Sequence, residues 1–280
     1  MNQKVSEVNE MPGQRRMAGG LIDSPAWNSC ASEPGMNWTE WIPSAKRISI
    51  MPNMIHVWLI QLSHIHDPSN LEIEMLSQQE LETLRWFHFE QDRNRYLVSH
   101  CALRTILAGY LGIAPGQIQY QYSRMGKPSL TGSSGVYFNL AHSHDIALVA
   151  VAANEEIGVD VEFIRPIEDI DHLARTCFSP REYMDFSQTT PSASQRAFFN
   201  GWTRKEAYIK AVGEGLSYPL DQFDVSILPW ESPMLTSIAG HPDDVNQWTL
   251  QDIPLGEDYA ASVALKAQHV NVRFLSFFER

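Results

Sequence analysis

The chain has 280 residues, of which 44% are hydrophobic and 19% are charged, and its formal net charge at pH 7 is -12. This composition is typical of a folded globular protein with one large domain or two smaller ones. Binding to the backbone of a nucleic acid needs a basic surface, so the acidic balance argues against a nucleic acid partner. No apolar run approaches the ~18 residues that a membrane helix needs, so no membrane partner is predicted either.

The cysteines are few and widely spaced, at Cys30, Cys101 and Cys177. None belongs to a Cys-x-x-Cys pair, so the sequence predicts neither a zinc site nor a disulfide framework. The N-terminus lacks the basic and then apolar order of a secretory signal. We therefore expect a cytoplasmic protein.

Residues 1–50 differ from the rest of the chain. They are rich in Asn, Ser, Pro, Gly and Met and show no sustained hydrophobic period, which predicts a mostly disordered N-terminal extension. Met51 or Met54 could also be the native start. The first strand is expected over residues 55–62, because IHVWLIQL combines β-branched residues with alternation.

Two helices and a hairpin are predicted next. Ser77 followed by Glu80 three residues later is a capping box, which predicts a helix from this point. A longer helix is expected over residues 92–112, with Asp92 as its cap and Gly112 as its end. The sequence VYFNLAHSHDIALVAVAAN predicts two strands joined by a loop at residues 142–145.

The second half of the chain partly repeats this order. A strand is expected over residues 155–164, followed by three helices, of which the second begins at Ser179 and the third ends at Gly213. Four strands are then predicted, in residues 223–228, 248–255, 259–267 and 272–277. We therefore expect an α+β fold with two similar α/β subdomains, residues 51–157 and 158–280, related by pseudo-twofold symmetry.

Three carboxylates are candidates for a metal-binding or catalytic site. Asp160 and Glu162 share one face of the strand GVDVEF, roughly 7 Å apart. Glu206 lies on the third helix of the second half, four residues before Lys210 and therefore on the same helix face. Each pair alone could be a solvated surface feature. Together, the three carboxylates suit a hard cation such as Mg²⁺ or Mn²⁺ that is shared with a phosphate group.

A phosphate ligand needs positive partners. Residues 85–127 carry six basic residues against two acidic ones in an otherwise acidic chain. This segment ends in a Gly-Lys-Pro run at residues 126–128 that lacks the other residues of a P-loop. His142 and Ser143 lie at a predicted strand end, where functional side chains are frequent. No G-x-S-x-G elbow surrounds Ser143, so a serine hydrolase is not favoured.

Taken in order, the segments RWFHFEQDRNRYLVSHCALR, GKPSL, VYFNLAHSHD, GVDVEFIRP and FFNGWTRKEAYIKAVGEGLSYPL resemble the Sfp-type 4'-phosphopantetheinyl transferases. The resemblance spans about residues 55–280 and excludes the N-terminal extension. It is carried mainly by the G-[IV]-D-[IV]-E strand and the W-[ST]-x-K-E-[AS]-[FY]-x-K-A helix. It implies the fold of that family, as a monomer.

The resemblance also implies a role for each matching residue. The metal ligands that hold Mg²⁺ with the pyrophosphate of coenzyme A would be Asp160, Glu162 and Glu206. Lys210 would contact the phosphates, and Glu206 would take the proton of the acceptor serine. The role of Lys205, which matches the first lysine of the helix motif, stays open.

The remaining positions would bind coenzyme A. Its 3'-phosphate would meet His142 and Arg95, with Arg93 as a helper. Its adenine and ribose would lie beside the run Gly126, Lys127 and Pro128. One position departs from the family, because Ala141 stands where a serine often precedes the loop histidine.

The implied reaction moves 4'-phosphopantetheine from coenzyme A to a serine of an apo acyl or peptidyl carrier protein. It is Mg²⁺-dependent and releases 3',5'-adenosine bisphosphate. Two alternatives stay open from the residues alone. One is another Mg²⁺-dependent phosphotransferase or nucleotide hydrolase, which would need the carboxylates but not the Gly-Lys-Pro and His-Ser segments. The other is a non-catalytic module that binds coenzyme A or carrier domains.

Overall fold

The structure is a computed structural model that describes residues 39–41, 47–62 and 73–277. The elements up to the middle of the chain are β1 (Thr39–Trp41), β2 (Met54–Gln61), α1 (Gln78–Leu84), α2 (Glu90–Leu111), β3 (Tyr120–Tyr122), β4 (Pro128–Leu130), β5 (Val136–Ser143), β6 (Ile146–Ala153) and β7 (Ile157–Phe163). The later elements are α3 (Ile170–Cys177), α4 (Pro180–Ser187), α5 (Pro191–Val212), β8 (Phe223–Val225), β9 (Leu235–Ile238), β10 (Thr249–Asp252), β11 (Tyr259–Leu265) and β12 (Asn271–Phe277). Short 3₁₀ turns join several of them. The α+β class predicted from the sequence is confirmed.

Two sheets form the centre of the fold. The larger has the strand order β1-β12-β2-β6-β5, and the smaller has the order β10-β11-β7. Side chains from both sheets meet in one apolar layer, which includes Val57, Leu148, Val159 and Val263. The outer face of the large sheet packs against α2, and the outer face of the small sheet packs against α5. The layers therefore run helix, sheet, sheet, helix.

The helix ends follow the capping chemistry of the sequence, with one exception. Ser77 and Glu80 form the predicted capping box of α1. Gly112 and Gly213 end α2 and α5 in the left-handed conformation, with φ of 69° and 86°. Asp92, predicted as the cap of α2, instead lies in its first turn, because the helix begins at Glu90 after Phe89. An acidic residue in the first turn still favours the helix through the dipole.

The first and last described strands join the same sheet. β12 pairs in parallel with β2, so this last strand belongs to the large sheet although its residues follow those of the small sheet. β1 pairs with β12, and Ile48 donates a backbone hydrogen bond to Gly109. Residues 39–41 and 47–50 fall within the extension predicted to be disordered, and these contacts are the part of it that the structure describes. The rest of that prediction lies outside the described residues.

Among the described helices, none has both the length and the apolar character required to cross a membrane.

Candidate active site

The site depends on a close approach between β7 and α5. Gly158 makes this approach possible, since a Cβ there would lie 2.0 Å from the carbonyl oxygen of Ala207 and 2.4 Å from the amide nitrogen of Ala211. Any larger residue would push the helix away from the strand. The approach brings Asp160, two residues along the strand, into contact with Lys210 on the helix.

The three predicted carboxylates are buried, so the alternative of a solvated surface feature is wrong. Asp160 is 5% exposed, Glu162 8% and Glu206 3%. Lys210 donates hydrogen bonds to Asp160 Oδ1 at 2.7 Å and to the carbonyl oxygen of Val159 at 3.3 Å. The second oxygen of Asp160, Oδ2, is buried and has no hydrogen-bond partner among the described residues. A buried carboxylate with an unused oxygen is costly unless a further partner binds it.

The protonation equilibria of these groups are strongly displaced. Burial, followed by the charge of Asp160, raises the pKa of Glu162 to about 8. Burial also raises the pKa of Glu206 to about 7 and raises that of Asp160, against the opposing charge of Lys210. Burial alone would lower the pKa of Lys210, but the charges of Asp160 and Glu206 outweigh it and raise that pKa. The cluster therefore has more negative charge to place than one ammonium group neutralises.

The donor set suits a hard divalent cation, because carboxylate oxygens are the ligands that Mg²⁺ prefers. The unused Asp160 Oδ2 is available for such an ion. The side chains are nevertheless not preassembled: among residues 39–41, 47–62 and 73–277, no three His, Cys, Asp or Glu side chains are grouped so that they could hold a metal ion. The ammonium group of Lys210 instead lies against Asp160. The residues fit the ion chemically, and without it Lys210 balances only part of their charge.

The end of β5 sends two neighbouring side chains to opposite faces. Ser143 points toward β7, where its hydroxyl donates to Glu162 Oε2 at 3.1 Å and accepts from the amide of Phe163 at 2.9 Å. His142, one residue earlier on the strand, lies on the opposite face of β5, and the charges that act on it include those of His100 and Arg95 on α2 and Lys210 on α5. The sequence signalled the strand end but not this contact between Ser143 and Glu162, because the partner lies on another sheet.

The residue His142 keeps exposed surface, and the side chains that act on its imidazole include His100, Lys210 and Arg95. Burial, followed by the charges of His100, Lys210 and Arg95, lowers its pKa to about 4. His142 is therefore neutral near pH 7.

Arg95 lies on α2 and binds the loop that follows β5. Its guanidinium donates to Asp145 Oδ1 at 2.9 Å, and Asp92 Oδ1 lies 3.9 Å away. The hydrogen bond from His144, followed by that from Arg95, lowers the pKa of Asp145 to about 2. An anion that bound Arg95 would therefore compete with Asp145. Arg93 is exposed and, two residues away on a helix, projects in a different direction from Arg95.

The Gly-Lys-Pro run forms the turn between β3 and β4. Gly126 has a φ of 85°, and the amide of Lys127 donates to Ser123 Oγ. The ammonium group of Lys127 reaches Glu156 Oε2 at 2.5 Å and the carbonyl oxygen of Ile157 at 3.2 Å, at the start of β7. Lys127 thus links the turn to the start of β7, the strand that carries Asp160 and Glu162.

Lys205 lies on α5 away from this cluster. Its side chain is fully buried and donates to both oxygens of Glu182 and to the carbonyl oxygen of Phe223. Its position is therefore that of a core ion pair. A surface hollow lined by residues such as Arg175, Tyr183 and Tyr218 contains none of the predicted site residues.

Comparison with known proteins covers both halves of the chain. Residues 156–264 match the model of the 4'-phosphopantetheinyl transferase superfamily, and residues 66–156 match the model described as 4'-phosphopantetheinyl transferase, N-terminal. The 4'-phosphopantetheinyl transferase HetI of Nostoc sp. is 34% identical over 228 residues, which are 80% of this chain and 93% of that protein. The L-aminoadipate-semialdehyde dehydrogenase-phosphopantetheinyl transferase of Mus musculus is 24% identical over 254 residues, 82% of each chain.

Other similar proteins match a smaller part of this chain. The 4'-phosphopantetheinyl transferase Sfp of Bacillus subtilis is 28% identical over 155 residues, 55% of this chain and 68% of that protein. Among solved structures, the holo-[acyl-carrier-protein] synthase of Thermotoga maritima is 17% identical, with a TM-score of 0.31 over 40% of this chain and 62% of that chain. The identity and coverage of HetI, together with the two family models, establish that this chain belongs to the 4'-phosphopantetheinyl transferase superfamily.

Proposed function

We propose that the protein transfers the 4'-phosphopantetheinyl group from coenzyme A to a serine hydroxyl of an apo carrier protein, in the presence of Mg²⁺, and releases 3',5'-adenosine bisphosphate. One observation carries the proposal beyond family membership: a buried group of carboxylates lies against Lys210 and keeps an unused oxygen on Asp160. A metal-assisted phosphoryl transfer requires such an arrangement of acidic oxygens beside a fixed cation.

Three residues are proposed to hold the metal ion: Asp160, Glu162 and Glu206. When bound, Mg²⁺ would neutralise the charge of the pyrophosphate, which makes 3',5'-adenosine bisphosphate a better leaving group. Lys210 supplies a second positive charge at the same place, since its ammonium group lies within hydrogen-bond distance of Asp160. This pairing explains why a lysine can stay charged when only 15% of its side chain is exposed.

The acceptor serine must lose a proton during the transfer. Glu206 is the proposed base, acting directly or through a water molecule, because it is a carboxylate one helical turn before Lys210 and is buried beside it. Positioning by β7 and α5 then accounts for much of the catalysis, as it does in phosphoryl transfer generally.

The basic face of α2 and the end of β5 are proposed to bind coenzyme A. Arg95 and His142 would meet the 3'-phosphate, and their proximity is supported by the effect of the Arg95 charge on His142. The turn of Gly126, Lys127 and Pro128 would lie beside the adenine and ribose. Arg93 remains a proposed second contact to the 3'-phosphate, although its side chain projects from α2 in a different direction from that of Arg95.

The proposed partner is an apo acyl or peptidyl carrier protein, and the chain is proposed to act as a cytoplasmic monomer. The experiment is incubation of an apo carrier with the protein, coenzyme A and Mg²⁺, followed by intact mass measurement of the carrier. Addition of one phosphopantetheinyl group, abolished by a chelator, supports the proposal. An unchanged mass across a panel of acyl and peptidyl carriers contradicts it, and a stable complex without a mass change would indicate a binding module.

A further inference from the structure

We propose that Ser143 is a positioning residue that limits the rotation of the Glu162 carboxylate and thereby favours its binding of the metal ion. This inference rests on the proposed function, because it concerns one of the three proposed metal ligands. Ser143 was not among the residues to which the sequence assigned a role, and it would not contact the substrate or the ion itself.

The first support is the position of β7. It is an end strand of the small sheet, paired on one side with β11 only. Side chains of β5 fill part of its other side: the amide of Val159 donates to Asn139 Oδ1 at 2.8 Å, and the amide of Phe163 donates to Ser143 Oγ at 2.9 Å. Asn139 and Ser143 are four residues apart on the same face of β5, so their side chains accept hydrogen bonds from two separate positions of β7.

The second support is the direction of the hydroxyl proton. A serine hydroxyl has one proton to donate and lone pairs that accept. The amide of Phe163 donates to Ser143 Oγ, so the proton is left for Glu162 Oε2 at 3.1 Å. The backbone of β7 therefore orients the hydroxyl, and the hydroxyl in turn orients the carboxylate that the same strand carries. Asn139 has no such second contact with a carboxylate among its described hydrogen bonds.

The third support is the packing at this position. Ser143 is partly buried and Glu162 is 8% exposed, so water has limited access to replace the lost hydrogen bond. Partners that orient metal ligands typically contribute about 10- to 100-fold to metal affinity or activity. We expect the lower end of this range, because Glu162 is one ligand of three.

The experiment is a calorimetric titration of Mg²⁺ into the protein with saturating coenzyme A, with thermal melting of each variant alongside. Ser143→Ala should weaken Mg²⁺ binding about 10-fold, and Ser143→Thr, which keeps the hydroxyl, should restore most of the affinity. Asn139→Ala is the matched control, since it removes the other hydrogen bond between β5 and β7 and leaves the contacts of the carboxylates unchanged. It should lower the melting temperature but leave the Mg²⁺ affinity near that of the parent.

Two results would overturn the inference. Parent-like Mg²⁺ affinity in Ser143→Ala would show that Glu162 needs no positioning. Equal weakening in Ser143→Ala and Asn139→Ala would mean that both residues act only by holding the strand. Both results leave the proposed function standing, because the parent still binds the ion. A parent that binds no Mg²⁺ in the presence of coenzyme A would overturn the proposed metal site as well.

Discussion

Lys205 and Lys210 lie five residues apart on α5, and each binds a buried carboxylate. The two carboxylates differ in how fully their oxygens are hydrogen-bonded. Lys205 and its partner Glu182 are almost fully buried, and all the hydrogen bonds of the lysine go to that carboxylate and to one carbonyl oxygen. Glu182 in turn accepts from the amides of Ser179 and Val225. Lys210 also binds a buried carboxylate, but Asp160 keeps one oxygen unused and two further acidic groups lie nearby.

The difference separates a closed ion pair from an open one. In the closed pair every polar group is satisfied within the chain, which is what a core requires. In the open pair the chain leaves charge and hydrogen-bonding capacity unmet, which is what a site for an ion and a phosphate requires. The sequence motif W-T-R-K-E-A-Y-I-K contains both lysines, and only the structure distinguishes their surroundings.

The largest effect is expected at the closed pair. Lys205→Met removes the ammonium group and leaves Glu182 buried without its charged partner, which should lower the free energy of unfolding by about 3–5 kcal/mol. Urea denaturation measures this loss in the free energy of unfolding. Lys210→Met is the matched control and should lose less, because the side chains of Lys210 and Asp160 are 15% and 8% exposed, whereas those of Lys205 and Glu182 are 0% and 1% exposed. Equal losses would remove the distinction between the two pairs.

The next effect concerns activity at the open pair. Asp160→Asn should lower the rate of holo-carrier formation by about 10²-fold or more, through loss of a metal ligand. Its melting temperature without metal should stay near that of the parent, since relief of repulsion between carboxylates offsets the lost ion pair with Lys210, which Glu206 and Glu162 still stabilise.

The control is Asp252→Asn. Asp252 also pairs with a basic residue of α5, accepting from Arg204 at 2.9 and 2.6 Å, but it lies in a satisfied network with Ser262. This variant should keep most of the parent rate. If instead Asp160→Asn melts far below the parent and Asp252→Asn does not, the Asp160 pair is structural.

A smaller, selective effect is expected at Arg95. A charge-assisted hydrogen bond to a phosphate is worth roughly 1.5–3 kcal/mol, so Arg95→Ala should lower kcat/KM for coenzyme A by about 10- to 100-fold. It should barely change kcat/KM for dephospho-coenzyme A, which lacks the 3'-phosphate. Equal losses on both substrates would mean that Arg95 acts through Asp145 and the loop after β5. For Arg93→Ala, the ratio of kcat/KM for coenzyme A to kcat/KM for dephospho-coenzyme A shows whether Arg93 also binds the 3'-phosphate.

The smallest effect tests a closed network in the other half of the fold. Trp58 Nε1 donates to the hydroxyl of Tyr110, which can therefore donate to His56 Nδ1 at 2.6 Å. Burial, followed by the charge of Arg273, lowers the pKa of His56 to about 4.

Since the folded-state pKa lies below the unfolded value, this contribution to stability is present above pH 6.5 and is lost as the pH falls toward 4. We expect a loss of about 2 kcal/mol by pH 5, measured by urea denaturation across pH. The variant His56→Gln should show a flatter pH dependence over this range. An equally steep profile in this variant would assign the effect to other groups.

Local chemistry made much of the fold predictable from the sequence. The capping box of Ser77 and Glu80, the pair Ser179 and Pro180, and the glycines that end α2 and α5 all have their expected places. These features depend on residues within one turn of each other, so a single sequence reveals them. The start of α2 was misplaced because Asp92 is as suitable inside the first turn as at the cap.

Contacts between distant segments were harder to predict. The alternation in GVDVEF indicated which side chains share a face, and the structure places Val159 and Val161 in the layer between the sheets. Nothing local reveals that β12 crosses to the large sheet, or that Gly158 is required by Ala207 and Ala211 some 50 residues later. The contact of Ser143 with Glu162 belongs to the same class, because it joins two sheets.

The central claim is that the open pair, and not merely any acidic residue paired with α5, binds the metal ion together with coenzyme A. The most direct measurement is thermal melting of the parent, Asp160→Asn and Asp252→Asn with coenzyme A, in the presence and absence of Mg²⁺. Ligands that bind only the folded state raise the melting temperature. The account predicts that Mg²⁺ adds to the stabilisation by coenzyme A in the parent and in Asp252→Asn, and adds almost nothing in Asp160→Asn. An Mg²⁺-dependent rise in Asp160→Asn as large as that of the parent would contradict it.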